Sequence, residues 1–334
     1  MMKTTRSIAV LGAGSWGTAL AIQIARAENL DVRMWGIDTA QIQQMEEQRC
    51  NPFYLPDIPF PETLKLEPDL DRALAADTLL LAIPSHALRS FIRSAKEQIK
   101  PGHHIVWATK GLEEDSSKLM HQVIAEELPD CHSTAVVSGP TFAKEVAQNL
   151  PTAVTVAAST EQLAGEVAEF LHHGNFRAYT SDDIVGVELG GALKNVLAIA
   201  AGIADGLGFG ANTRAALITR GLAEIMRLGD AMGADKSTLM GLAGLGDLVL
   251  TCTDNQSRNR RLGIKLAEGK SIEQAREEIG QAVEGVKTAK EAVKLSSQYK
   301  VELPIIEQVY RVLYEGCSAK EAVHALLARE AKQE

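Results

Sequence analysis

The pattern of apolar and polar positions changes character part-way along the chain. Up to about Thr180, short apolar runs alternate with amphipathic helical stretches. Ile8–Leu11, Val32–Trp35, Asp77–Ile83, Ile105–Ala108, Ala135–Val137, Ala153–Ala157 and Phe176–Tyr179 read as strands. Helices are expected over Thr18–Arg26, through Ala40, Ile42 and Met45, and over Ala87–Gln98, Glu113–Glu127 and Gln162–Leu171. Strands alternating with helices predict a parallel sheet covered by helices. Arg49 to Pro61 carries Pro52, Pro56, Pro59 and Pro61 and is expected to be an ordered loop without an element of its own. From Ser181 the strand pattern stops. Helices are expected over 182–205, 212–229, 258–268, 272–279, 284–298, 304–315 and 318–330. An α/β half followed by an all-helical half gives two domains, 1–181 and 182–334.

The helix over 182–205 is apolar nearly all round, which marks an interior helix. Lys194 sits in its middle. A buried ammonium must be paired or must lose its proton as desolvation lowers its pKa, and a lysine so tuned serves as general acid or base. Alternatively its stem snorkels to the surface. Gly190 and Gly191, one turn earlier, each cost about 1 kcal/mol relative to Ala in a helix. Either something approaches the backbone there, or the glycines allow tight helix packing.

Gly12-Ala13-Gly14-Ser15-Trp16-Gly17 lies between the first strand and its helix, the context in which G-x-G-x-x-G binds a dinucleotide. Gly12 permits the tight turn, Gly14 lets a pyrophosphate approach the backbone, and Gly17 lets helix pack on strand. The second strand ends at Trp35-Gly36-Ile37-Asp38. Asp38 accepts from a ribose hydroxyl or caps the next helix, and the cap is favoured. Arg33 lies within the strand, so the choice between NAD and NADP stays open. Phe53 and Tyr54 cover an adenine or pack as ordinary loop residues.

Other candidates stand at strand ends. His86 follows Pro84-Ser85 and is expected to cap the next helix. Lys110 is placed to reach a phosphate or carbonyl, or faces solvent. Ser138-Gly139-Pro140-Thr141-Phe142-Ala143 turns into a short helix suited to an anion. His172 and His173 end a helix, where a basic group suits the dipole better than a metal site explains it. Gly244-Leu245-Gly246-Asp247 is expected to break the helical run. Beyond it, Ser257 and the triplet Arg258, Arg260 and Arg261 open a helix, where basic residues oppose the dipole. A phosphate clamped by guanidinium groups explains them, or they form a solvated turn.

Composition narrows the classes. With 334 residues, 46% hydrophobic and 23% charged, the chain is an ordinary globular protein. A formal charge of -9 disfavours nonspecific nucleic-acid binding. Cys50, Cys131, Cys252 and Cys317 are far apart and fit reduced thiols in a cytosolic protein, with no metal site. Met1 to Arg6 has no secretory pattern, and the apolar helix carries Glu188 and Lys194, too polar for a membrane span.

The glycine fingerprint, Ala108-Thr109-Lys110-Gly111, Ser138-Gly139-Pro140-Thr141, Gly191-Ala192-Leu193-Lys194-Asn195, Gly244-Leu245-Gly246-Asp247 and Asn255-Gln256-Ser257-Arg258-Asn259 occur in that order. Together they closely resemble bacterial-type NAD(P)-dependent glycerol-3-phosphate dehydrogenases over about Ser7 to Gly316. The resemblance implies a Rossmann-type nucleotide-binding domain followed by a helical domain like that of 6-phosphogluconate dehydrogenase. It implies reduction of dihydroxyacetone phosphate to sn-glycerol 3-phosphate, supplying phospholipid synthesis, in a cytoplasmic enzyme expected to be a homodimer. It casts Lys194 as proton donor and acceptor. Lys110, Gly139, Thr141, Lys194, Asp247, Ser257, Arg258 and Asn259 are cast as substrate contacts. Ser15, Trp16, Tyr54, Lys110, Ala143, Arg258, Ala282 and Glu284 are cast as cofactor contacts, beside Gly12, Gly14 and Gly17. At position 37, where such enzymes often carry His or Arg, this chain has Ile37, which leaves NADPH preference open. Asp247 pairs with Lys194 or binds a substrate hydroxyl. The alternatives are a related two-domain hydroxy-acid or sugar-acid dehydrogenase and a non-catalytic dinucleotide-binding regulator.

Overall fold

The structure, a computed structural model, describes residues 6–329. The start of the chain read above and the end of the last expected helix, at 330, lie outside them. The chain divides into two compact units. The first runs through Thr109 and resumes over Met120–Val187, and the second is Lys110–Leu119 with everything from Glu188. The pattern change places the division at 181/182. The structure puts it after Val187 and assigns an internal ten-residue segment to the second unit.

The first unit runs β1 (Ser7–Leu11), α1 (Ser15–Ala25), β2 (Asp31–Trp35), α2 (Thr39–Gln48), β3 (Cys50–Asn51), β4 (Leu55–Pro59), β5 (Leu64–Leu66), α3 (Leu70–Ala73), β6 (Thr78–Leu81), α4 (Ser85–Ala95), β7 (His104–Trp107), α5 (Met120–Glu127), β8 (Thr134–Ser138), α6 (Ala143–Ala147), β9 (Thr152–Ala158), α7 (Glu161–Leu171) and β10 (Phe176–Ser181). Among the described residues one sheet has the order β10-β9-β8-β7-β6-β1-β2-β5. Its neighbours pair in parallel except β8 with β9. Strands covered on both faces need apolar side chains throughout, and Ile8, Ala9, Val10 and Leu11 are all fully buried.

Three local expectations are corrected. Arg49 to Pro61 holds a small antiparallel pair, β3 with β4. The prolines Pro56 and Pro59 are tolerated because this ribbon is all edge. Helix α5 starts at Met120 instead of Glu113: Asp115 and Ser117 take positive φ, 72° and 58°, which ends helical continuation. Lastly, His86 lies inside α4, which follows Pro84 without a side-chain cap. Asp38 does cap α2, accepting from the N–H groups of Ala40 (3.0 Å) and Gln41 (3.2 Å).

The second unit is helical: α8 (Ile184–Gly206), α9 (Ala211–Met232), α10 (Lys236–Met240), a π-helical turn (Leu242–Gly246), α11 (Asp247–Thr253), α12 (Arg258–Ala267), α13 (Ile272–Ile279), α14 (Glu284–Tyr299), α15 (Pro304–Tyr314) and α16 (Ala319–Leu327). Caps set several starts. Ser271 with Gln274 and Ser318 with Glu321 form capping boxes, and Pro304 opens α15. By length and composition α8 is apolar enough to cross a membrane, yet its most apolar stretch is 89% buried within the protein. Other backbone packs directly on it. A Cβ at Gly190 would come to 2.5 Å from the Ala243 carbonyl oxygen. Gly202 and Gly263 likewise let α8 and α12 touch backbone to backbone. Gly190, Gly202 and Gly206 of α8 therefore serve close packing, which for Gly190 is one of the two readings open from sequence.

Candidate active site

The first unit presents an anion-binding turn. Gly12 has φ +126°, and a Cβ there would come to 2.5 Å from the Ala82 carbonyl oxygen. A Cβ on Gly17 would strike the Gly12 carbonyl. Gly14, by contrast, has open space where a side chain would go, and it stands as the N-cap of α1 with no side-chain cap. That is room for a phosphate beside unpaired N–H groups. Trp16 Nε1 is buried there without a partner. Asn51 braces the turn, donating to the Ala13 carbonyl (3.0 Å) and to Thr18 Oγ1 (2.8 Å), and Gln41 donates to the same carbonyl (3.1 Å). Sequence reading missed Asn51, because its partners lie more than thirty residues away. At the end of β8, Ser138 Oγ is buried and unpartnered, Gly139 has φ +154°, and Thr141 Oγ1 donates to the Gly139 carbonyl (3.1 Å). Two orphaned polar hydrogens and an open glycine cradle fit a dinucleotide. Tyr54 is part exposed, and Ile37 is 90% exposed just before the α2 cap.

In the second unit, Lys194 is 6% exposed and Asp247 is fully buried. Lys194 Nζ donates to Asp247 Oδ1, and Lys110 Nζ donates to Asp247 Oδ2 at 2.7 Å. The surface reading of Lys194 is therefore corrected: the side chain is held inside by its ion pair with Asp247 and is only 6% exposed. The reading of Lys110 as a solvent-facing loop lysine falls too. Gly244 to Asp247 is no break but a π turn running into α11. The wider turn carries Asp247 inward, and Thr251, one turn on, donates its hydroxyl to the Asp247 carbonyl (2.6 Å). Burial lowers the Lys194 pKa to about 8 against the pull of Asp247, and the Lys110 cation adds to the lowering. Cys252 is also buried, which pushes its thiol up to about 12, so it is no nucleophile.

A polar chain adjoins this pair in sequence. Asn259 donates to Asn195 Oδ1 (2.9 Å) and accepts from the Gly285 N–H (2.9 Å). Ser257 caps α12, accepting from the Arg260 N–H (3.2 Å). Arg258 reaches Gln281 Oε1 at 3.4 Å. The basic triplet is thus divided. Arg260 is bound by Asp205 at 2.5 Å and by Asn255, so it serves the fold. Gly12, Gly14, Ser15, Trp16, Gly17, Tyr54, Gly139, Thr141 and Ala143 fall in the first unit. Lys110, Lys194, Asp247, Ser257, Arg258, Asn259, Ala282 and Glu284 fall in the second. Asn195 and Thr251 were not singled out from sequence. Thr251 becomes visible only once Asp247 is known to start a helix.

Two family models match, described as NAD-dependent glycerol-3-phosphate dehydrogenase N-terminus, over residues 7–164, and C-terminus, over 183–324. The chain belongs to the NAD-dependent glycerol-3-phosphate dehydrogenase family. Among similar members, that of Thioalkalivibrio sulfidiphilus (strain HL-EbGR7), named glycerol-3-phosphate dehydrogenase (NAD(P)+), is 58% identical over 98% of each chain. One from Escherichia coli O1:K1 / APEC, with the same name, is 52% identical over 100% of this chain and 99% of that one. The crystal structure of glycerol-3-phosphate dehydrogenase from Coxiella burnetii superposes with a TM-score of 0.93 at 48% identity, covering 97% of this chain and 99% of that one. A family dehydrogenase needs a nucleotide turn and a proton donor, and both have candidates here.

Proposed function

We propose that this glycerol-3-phosphate dehydrogenase works through Lys194, with Asp247 and Lys110 as its charge partners. The reaction interconverts dihydroxyacetone phosphate and sn-glycerol 3-phosphate. NADH or NADPH, when bound, supplies the hydride to C2 of the ketone. As C2 is reduced, its oxygen gains negative charge. Protonated Lys194 stabilises that charge and passes one proton from Nζ to the oxygen, leaving a neutral amine that solvent reprotonates. Asp247 keeps Lys194 cationic despite its burial, and Lys110 supplies a second positive charge. Arg258, Ser257 and Asn259 hold the substrate phosphate, with Gly139 and Thr141 as further contacts. That binding energy orients the carbonyl.

The turn from Gly12 to Gly17, with Ser15 and Trp16, takes the cofactor pyrophosphate. Tyr54, Lys110, Ala143, Arg258, Ala282 and Glu284 complete the cofactor site. The first unit thus serves as the nucleotide domain and the second as the substrate domain. The product feeds phospholipid synthesis. Four free cysteines suit the reducing cytoplasm, where the enzyme works as a homodimer.

The observation that carries this reading is the buried Lys194–Asp247–Lys110 cluster. Steady-state reduction of dihydroxyacetone phosphate with NADH and NADPH in turn, followed by loss of reduced-nicotinamide absorbance, tests it. Turnover of hydroxy acids or phosphogluconate instead would assign the chain another substrate.

A further inference from the structure

The second unit contains a cavity of about 970 Å³ whose lining includes none of the residues given a chemical role above. It lies among α8, α9, α15 and α16, and its volume is near the top of the range for small-molecule sites. Ile203, Leu217, Val309, Val312 and Leu326 make its walls apolar.

The charges around it are unevenly satisfied. Three carboxylates line it, and each is committed. Glu224, 1% exposed, accepts from the N–H groups of Ile305 (2.7 Å) and Ile306 (3.2 Å) at the start of α15. Asp230 pairs with Lys236 at 3.0 Å, and Glu302 pairs with Arg329 at 2.8 Å. The cations differ. Arg227 donates to the Glu302 carbonyl (3.0 Å), and its charge acts on the Glu224 carboxyl. Arg220 and Lys300 line the cavity, and their side chains have no ion-pair or hydrogen-bond partner among the described residues. A protein with a formal charge of -9 thus keeps unneutralised cations beside an apolar cavity.

We propose that this cavity binds a single-chain amphiphile with an anionic head group, its tail among α8, α9, α15 and α16 and its head on Arg220 and Lys300. Tail burial contributes about 25 cal/mol per Å² of apolar surface. A guanidinium holds a carboxylate or a phosphate by paired charge-assisted bonds. A cationic head would find no uncommitted carboxylate.

Calorimetric titration of the full chain with dodecyl phosphate, laurate, dodecyltrimethylammonium and inorganic phosphate, each below any micelle threshold, tests this. One anionic chain per protein should bind, and the cationic chain and inorganic phosphate at least about tenfold more weakly. Saturation by only one of the two anionic chains supports the proposal and identifies the head group. Arg220→Glu should weaken anionic binding about tenfold or more, and Ala216→Trp, which fills the cavity, should abolish it. Both variants should keep wild-type turnover of dihydroxyacetone phosphate. Arg220→Gln repeats the test should the charge reversal perturb folding. Equal binding of the cationic chain, or unchanged binding in Arg220→Glu or Ala216→Trp, overturns the proposal. So does a dimer, seen by sedimentation, that Ala216→Trp dissociates, since it would assign this face to a second copy.

Discussion

Gly190 packs on the carbonyl of Ala243, and one turn further along both segments Lys194 meets Asp247. The first contact sets the spacing of the second. Gly190→Ala brings a methyl to 2.5 Å from that carbonyl oxygen, so the π turn must move. We expect a loss of about 1–3 kcal/mol in unfolding free energy. We also expect kcat to fall while NAD(P)H affinity holds. Unfolding and kinetic curves matching wild type would remove this role for Gly190.

Lys194→Ala should lower kcat by at least about 10²-fold with cofactor binding intact. On the proposed mechanism the proton donor is the Lys194 ammonium, whose pKa is about 8. Ketone reduction should therefore weaken as pH rises through that value, and glycerol 3-phosphate oxidation should gain as the neutral amine forms. A reduction rate that shows no such decline in the chemical step, by single-turnover measurement, contradicts the assignment.

Arg258→Ala should act mainly on the KM for dihydroxyacetone phosphate. The check is a phosphate-free analogue, glyceraldehyde. At saturating NAD(P)H, which offsets the Arg258 contact to the cofactor, its reduction should differ little between the two proteins, because this substrate has no phosphate to engage Arg258.

Position 37 bears on cofactor choice. Ile37 is 90% exposed and sits between β2 and the Asp38 cap, where a basic side chain accommodates a 2′-phosphate. Ile37→Arg should raise kcat/KM for NADPH relative to NADH. An unchanged ratio would show that another residue reads the ribose.

Glu224 predicts a pH dependence of stability. Burial raises its carboxyl pKa from 4.5 to about 7, opposed by the Ile305 and Ile306 N–H groups. The folded state thus holds this proton more tightly than the unfolded state. Its contribution is present below 4.5 and is lost as pH rises through 7, a change of roughly 3 kcal/mol. Glu224→Gln should therefore gain on wild type across that window in denaturant unfolding. Parallel curves for the two proteins would refute it.

Much of the fold was legible because its signals are local. The strands of the first unit are apolar runs, the nucleotide turn is a contiguous motif, and α8 declares itself by being apolar on every face. Lys194 was legible as the one lysine of that helix. Its pairing with Asp247 stood only as one of two alternatives, since Asp247 is 53 positions away and reaches it through a π turn that looks from sequence like a helix break. Arg258 and Arg260 look alike along the chain. Only Asp205, another distant residue, separates the structural arginine from its neighbour. The stretch from Glu113 to Leu119 has helical composition, yet Ser117 hydrogen-bonds the buried Glu291 at 2.6 Å and takes a left-handed backbone. Tertiary contacts overrode local preference there.

That same stretch carries a consequence for how the protein can be divided. Lys110–Leu119 is made early in synthesis but finds its packing partners only after residue 188 has been translated. A fragment begun at Glu188 would lack Lys110 and Ser117, leaving Asp247 with a single cation and Glu291 without its hydroxyl donor. The helical half is therefore not a self-contained module, and its maturation waits on a peptide supplied from the other half.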